Sequence, residues 1–180
     1  MKDPTGFIQG YNAQAAVDAS SQVIVAADVT IQSNDKQQLE PMLAQVKENC
    51  NAVPKELSAD AGYYSEDNVA HAQAKGIHPL ISPGTARHTD AKLASLRGRI
   101  PKHLSAKERM ERLLRTKKGK KAYGKRKETV EPVFGQIKDV RGFRRFLLRG
   151  IENVKGEWQL ICLTHNLLKL YRWRLTQATA

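Results

Sequence analysis

From Tyr11 to Val17 apolar and polar positions alternate, so that Tyr11, Ala13, Ala15 and Val17 face one way while Asn12, Gln14 and Ala16 face the other. That period predicts a strand. Ala19 to Ser21 reads as a turn, and Gln22 to Thr30 as a second strand with Val23, Val25, Ala27 and Val29 on one side, so a β-hairpin is expected. Asn34 or Ser33 then caps a helix whose apolar residues Leu39, Met42, Leu43 and Val46 recur at three and four positions, with Pro41 disturbing its first turns. Glu56 to Ala59 and Ile77 to Ile81 are short strands flanking a helix from Ser65 to Lys75, which Gly76 closes. A strand, a helix of about ten residues and a strand make a βαβ unit with parallel pairing. Hairpin plus βαβ gives an α/β fold with a mixed sheet flanked by helices.

Beyond the Pro83-Gly84 turn the pattern fades. Residues 85–124 read as a basic insertion or mobile segment in which Gly98, Gly119 and Gly124 interrupt any long helix, although Ala106 to Leu114 suits a short one. Val130, Val133, Phe134 and Ile137 return to helical spacing, with Pro132 tolerable only in a first turn. Asn153 to Leu175 carries a broad apolar face suited to packing on the sheet. The whole chain, 1–180, reads as one domain.

Charge alters this picture. The formal net charge is +12, and 21 of the 30 basic residues but only 6 of the 18 acidic ones lie between Arg87 and Arg149. A cluster of that size neutralises phosphates and releases their counterions, which points to nucleic acid; the bland alternative is a solvated basic loop. Cys50 and Cys162 have no metal or disulfide spacing, and the five histidines form no ligand pair. No apolar run approaches the roughly 18 residues that span a bilayer, so a cytoplasmic, nucleoid-associated protein is expected.

Within the basic segment, TVEPVFGQIKDVRGFRRFLLRG holds Glu131 seven residues before Lys138. Asp60, in ELSADAGYYS, falls where a strand ends, the place at which open parallel sheets bind ligands. A carboxylate there suits Mg²⁺, which takes one or two carboxylates with water and phosphate completing its shell. Taken singly, an Asp-x-Gly is most often a turn and a helical Glu among Lys and Arg a surface ion pair.

Together, Asp60-Ala61-Gly62-Tyr63, the basic stretch, and Tyr123, Arg126, Lys127, Glu131 and Lys138 resemble the DDE transposases of bacterial insertion sequences. That resemblance, which extends to the GYNAQAAVD opening, implies a ribonuclease-H-like domain in which two Asp and one Glu bind Mg²⁺ or Mn²⁺. The family signature is Tyr-x2-Arg-x3-Glu-x6-Lys. Glu131-x6-Lys138 fits it; Arg126 stands one residue too far away, so either Lys127 fills the basic slot or the spacing has slipped.

The resemblance makes Asp60 the second carboxylate and Glu131 the third, both as metal ligands. The first belongs in an Asp-Gly-Thr or Asp-Ser-Thr on a strand upstream of GYNAQAAVD, and no such motif occurs. Asp18 is the substitute catalytic candidate, while Asp35 reads as a helix-start residue. An amino-truncated copy lacking its first strand is therefore expected. Lys138 and Arg126 or Lys127 would contact phosphate near the scissile bond, and Arg141, Arg144, Arg145 and Arg149 would hold the DNA backbone. The implied partners are element ends and target DNA, with a homo-oligomer as the acting form. The rival functions are a non-catalytic DNA-binding protein and a nuclease of the same fold.

Overall fold

A computed structural model of the chain describes residues 2–3, 6–7, 10–84, 98–101 and 103–178. Its strands are β1 (Lys2–Asp3), β2 (Gly6–Phe7), β3 (Asn12–Val17), β4 (Ile24–Thr30), β5 (Glu56–Ala59) and β6 (His78–Ile81). Its α-helices are α1 (Leu39–Cys50), α2 (Glu66–Ala74), α3 (Ala106–Arg115), α4 (Lys117–Gly135) and α5 (Ile151–Ala178). The architecture is mixed α/β.

The strands pair two by two. β1 and β2 are antiparallel, β3 and β4 form the expected antiparallel hairpin, and β5 and β6 the expected parallel pair. The single mixed sheet is not formed, because among the described residues no strand pairing joins β3 to β5. One departure within the hairpin has a local cause. The register shifts between Ala16 and Val17, so that Val25 is the extra residue of a bulge and the alternation expected for β4 breaks there. Ile24, Ala27 and Val29 consequently join one core, while Val25 and Ala26 pack on the other side.

Both faces of the hairpin are covered. On one, Val133 and Ile137 join Val154, Trp158 and Ile161 of α5 against Ile24 and Val29. On the other, α1 packs Met42 and Val46 against Ala26, then continues to the parallel pair through Leu39 and Leu43 beside Ile77 and Ile81. Helix α1 thus ties the two strand pairs together. Its start is as expected in kind: Asn34 accepts from Lys36 N and caps a 3-10 turn, Asp35–Gln38, that leads into α1. Pro41 is accommodated in the first turn, where its missing N–H has no helical acceptor to lose.

Three expectations in the basic half are corrected. Residues 85–97 lie outside those described; the short helix expected from Ala106 forms as α3, but a long helix, α4, follows where the glycines suggest an interruption. Ser105 and Glu108 form a capping box on α3. Gly119 does not interrupt a helix: it sits in the first turn of α4, where any Cβ would run into the Leu113 carbonyl. Pro132 lies far inside α4, not at its start. A proline there leaves the carbonyl four residues earlier without its helical donor, and the Gln22 side-chain amide donates to that carbonyl, Glu128 O, at 3.0 Å. A π-helical turn, Gln136–Val140, follows.

Helix α5 also differs. Its buried apolar residues, Val154, Trp158, Ile161 and Cys162, all precede Leu163; beyond them the contacts to the hairpin are polar, through His165 and Asn166, while Leu163, Leu167 and Leu170 are exposed. Among the described residues no helix is long and apolar enough to cross a membrane.

Candidate active-site cleft

Between the inner edges of β3 and β5 lies an open cleft of about 760 Å³, floored by α1 and covered by α4. All of Asn12–Val17 and all of Glu56–Ala59 line it.

Asp60 follows β5 directly, as the sequence suggests. Its Oδ1 accepts from Gly62 N at 3.0 Å, capping a short 3-10 turn, and the side chain is exposed at the cleft mouth. Beside it stands Asp35, which the sequence reading leaves as a helix-start residue. Asn12 Nδ2 and Gln14 Nε2 donate to Asp35 Oδ1 at 2.6 and 2.9 Å, so two side chains of β3 hold this carboxylate in place. Asp35 and Asp60 converge on one glycine: a Cβ at Gly62 would lie 2.8 Å from Asp35 Oδ2 and 3.1 Å from Asp60 Oδ1. Burial, and then the charges of Asp35 and Asp60, push the Tyr63 phenol well above its ordinary range, so both carboxylates face the same residue.

Asp18 lines the same cleft at its opposite end. The Asp35 contacts fix the Asn12 end of β3 beside Asp60, and Asp18 follows the other end, six residues at about 3.3 Å each, roughly 20 Å away. There its Oδ2 accepts from the hydroxyls and backbone N–H groups of Ser20 and Ser21, at 2.6 to 3.2 Å. Those bonds pull its pKa down to about 2 and anchor the hairpin turn.

Helix α4 turns Arg126, Thr129, Val130 and Phe134 into the cleft and leaves Glu131 exposed outside its lining. The geometry therefore brings Asp60 together with Asp35, and with neither Asp18 nor Glu131. Arg126 stacks over the Tyr123 ring at 5.5 Å, with its Nε buried and unpartnered among the described residues. Lys127 and Lys138 are exposed, the latter 5.4 Å from the centre of the Phe134 ring. Arg141 is tied to α5, donating to the Ile161 carbonyl at 3.1 Å and to the Thr164 hydroxyl. Arg144 pairs with Asp139 at 2.7 Å, and Arg145 and Arg149 are exposed.

Two hard carboxylates at a solvent-facing mouth fit Mg²⁺ or Mn²⁺, since such ions take only one or two carboxylates when water and phosphate complete the shell. Asp35 Oδ2 is available for this because the amides of β3 occupy Oδ1. Among the described residues no group of three His, Cys, Asp or Glu is placed to hold an ion. Nothing local in SNDKQQLE signals Asp35, whose partners lie 21 and 23 residues away.

Fold and charge together define an α/β domain with a carboxylate pair at the mouth of a cleft and a basic helix across it. The model of the transposase DDE domain family matches residues 2–167, most of the chain, and the protein belongs to that family. No curated protein and no solved structure matches it.

Proposed function

We propose that this chain is a catalytic domain for DNA transposition that cleaves DNA and transfers strands by metal-dependent phosphoryl transfer, on a ribonuclease-H-like arrangement of strands. The observation that carries this is the convergence of Asp60, at the carboxyl end of a parallel strand, with Asp35 on Gly62. Family membership makes DNA the substrate. Asp60 and Asp35 hold Mg²⁺ or Mn²⁺, and Glu131, from the helix bearing the Glu-x6-Lys motif, is the third carboxylate. When bound, the divalent ion lowers the pKa of an attacking water or hydroxyl and offsets charge on the leaving oxygen. Arg126 meets the phosphate inside the cleft. Lys127, Lys138, Arg145 and Arg149 follow the backbone outside it without reading bases, while Arg141 and Arg144 are occupied by their own partners. Asp18 stands apart from this set, as the anchor of the hairpin turn.

One observation favours a second reading. Glu131 lies outside the cleft lining, as it would in a domain that binds DNA without cutting it. Incubating the protein with supercoiled plasmid and Mn²⁺ separates the two. Nicking that Asp60→Asn abolishes supports catalysis; nicking that survives Asp60→Asn refutes the assigned site; salt-sensitive binding without nicking establishes the non-catalytic reading.

A further inference from the structure

Helix α5 is apolar on two opposite faces. One packs Val154, Trp158 and Ile161 into the core, whereas Leu160, Leu163, Leu167 and Leu170, spaced three, four and three residues apart, form a second stripe in which every leucine is more than half exposed. A helix apolar all round is normally enclosed on both sides. At its amino-terminal end the stripe runs into an apolar groove of about 360 Å³, where Leu160 meets Phe143, Leu147 and Leu148 of the loop that follows the π-helical turn. That loop is held in place: Glu157 accepts from Leu147 N and Leu148 N, each at 2.9 Å. At roughly 100 Å² each, the two loop leucines and the four of the stripe expose on the order of 600 Å², at the top of the range for the largest patch on a monomer and near the roughly 800 Å² each partner gives to a standard interface.

Charge decides what fits there. From Trp158 to Ala178 the helix carries Lys169, Arg172 and Arg174 and no acidic residue. Lys169 is turned inward, donating to Gln22 Oε1 at 2.7 Å, but Arg174 takes the next place in the stripe, four residues after Leu170, and is exposed. Arg145 and Arg149 stand exposed on the loop at the other end. A second copy of the chain fits poorly. Parallel pairing in register sets Arg174 against Arg174, and antiparallel pairing about Leu167 buries it on Leu160. A helix with its own apolar stripe and carboxylates on its flanks meets the leucines and the arginines together.

We infer that the outer face of α5 is a docking site for an amphipathic helix of another protein, apolar along a three-four spacing and acidic on its flanks. The stretch from Leu160 to Arg174 sets its length at about 14 residues, roughly 21 Å. This face is opposite the one that covers the hairpin and shares no residue with the carboxylate pair.

Fluorescence anisotropy with the full chain, at about 150 mM salt to screen diffuse attraction, tests this. The probe is a labelled helical peptide of about 18 residues with leucines at three-four spacing and glutamates beside them. One control replaces the glutamates by lysines, and another keeps the composition but sets the leucines out of register. The first peptide should bind about tenfold or more tighter than either control, and Arg174→Glu should weaken it about fivefold while strengthening the lysine peptide. Leu163→Glu combined with Leu167→Glu should abolish binding and leave the urea midpoint within about 0.2 M of the parent. Equal binding of all three peptides, or binding of none, overturns the inference. A midpoint lowered by about 1 M or more in the double variant shows that the face is already covered within the chain and overturns it too. Self-association of the parent that the double variant removes makes the face an interface between copies instead. Neither metal nor DNA enters these measurements, so their outcome is independent of the metal assignment.

Discussion

Asn166 closes the outer edge of β4 with a pair of hydrogen bonds, and replacing it isolates the strength of that closure. Its Oδ1 accepts from Ile24 N at 2.9 Å and its Nδ2 donates to Ile24 O at 2.8 Å, 142 residues away in the chain. Ile24 is 6 % exposed, so Asn166→Ala strands one donor and one acceptor where water enters with difficulty. Each stranded buried group costs about 1–3 kcal/mol, and partial hydration at the helix surface places the sum near the lower end, about 2–3 kcal/mol. With a urea m-value of about 2 kcal/mol/M, the midpoint should fall by about 1 M. Asn166→Asp keeps an acceptor for Ile24 N but sets a second oxygen against Ile24 O. It should destabilise at least as much as alanine. Equilibrium urea unfolding followed by the Trp158 fluorescence reads both variants. Midpoints within about 0.2 M of the parent for both would refute the claim that this edge is held closed by Asn166.

Other consequences follow from the same geometry. Gly62→Ala places a methyl 2.8 Å from Asp35 Oδ2 and 3.1 Å from Asp60 Oδ1; spreading the carboxylates should weaken Mn²⁺ binding about tenfold or more in a calorimetric titration, with the thermal midpoint little changed. Because Asp18 titrates at about 2 in the fold against 3.8 ordinarily, its hydrogen bonds add stability above pH 3.8 that is lost as pH falls toward 2. Asp18→Asn should therefore flatten the acid limb of a stability profile in that window, and an unchanged limb would contradict the bonding described. Burial lowers the pKa of His165, whose side chain is fully enclosed with Nε2 3.1 Å from Gln22 O. Stability should then fall as pH drops below 6.5, and His165→Gln should lessen that dependence in thermal melts. Replacing Lys127, Lys138, Arg145 and Arg149 together by alanine should reduce the slope of log K against log salt for duplex DNA by up to about 3.6.

The elements that can be read from sequence are those whose stability is local. The alternation in Asn12–Val17, the Ser65 cap and the three-four spacing of α1 place the hairpin, α2 and α1 close to their observed bounds. Asp60 is legible for the same reason, since an Asp two residues before a Gly caps its own turn. Features set by distant partners are not. Pro132 and Gly119 look like helix breakers, yet Gln22 takes up the carbonyl that Pro132 orphans and the Leu113 carbonyl requires a residue without Cβ at Gly119. The bulge at Val25 leaves no mark in a run of β-branched and small residues. Asp35 is a helix-start residue by local rules and becomes a cleft carboxylate only because Asn12 and Gln14 reach it across the fold. The apolar pattern of α5 runs its whole length, but periodicity does not say where the sheet beneath it ends.

The most direct test of the carboxylate pair is a Mn²⁺ titration followed by electron paramagnetic resonance, comparing the parent with Asp60→Asn, Asp35→Asn and Asp18→Asn. A bound ion that is lost in the first two variants and retained in the third is the result expected from the convergence on Gly62. Equal binding by the parent and by both cleft variants, or loss confined to Asp18→Asn, would contradict it.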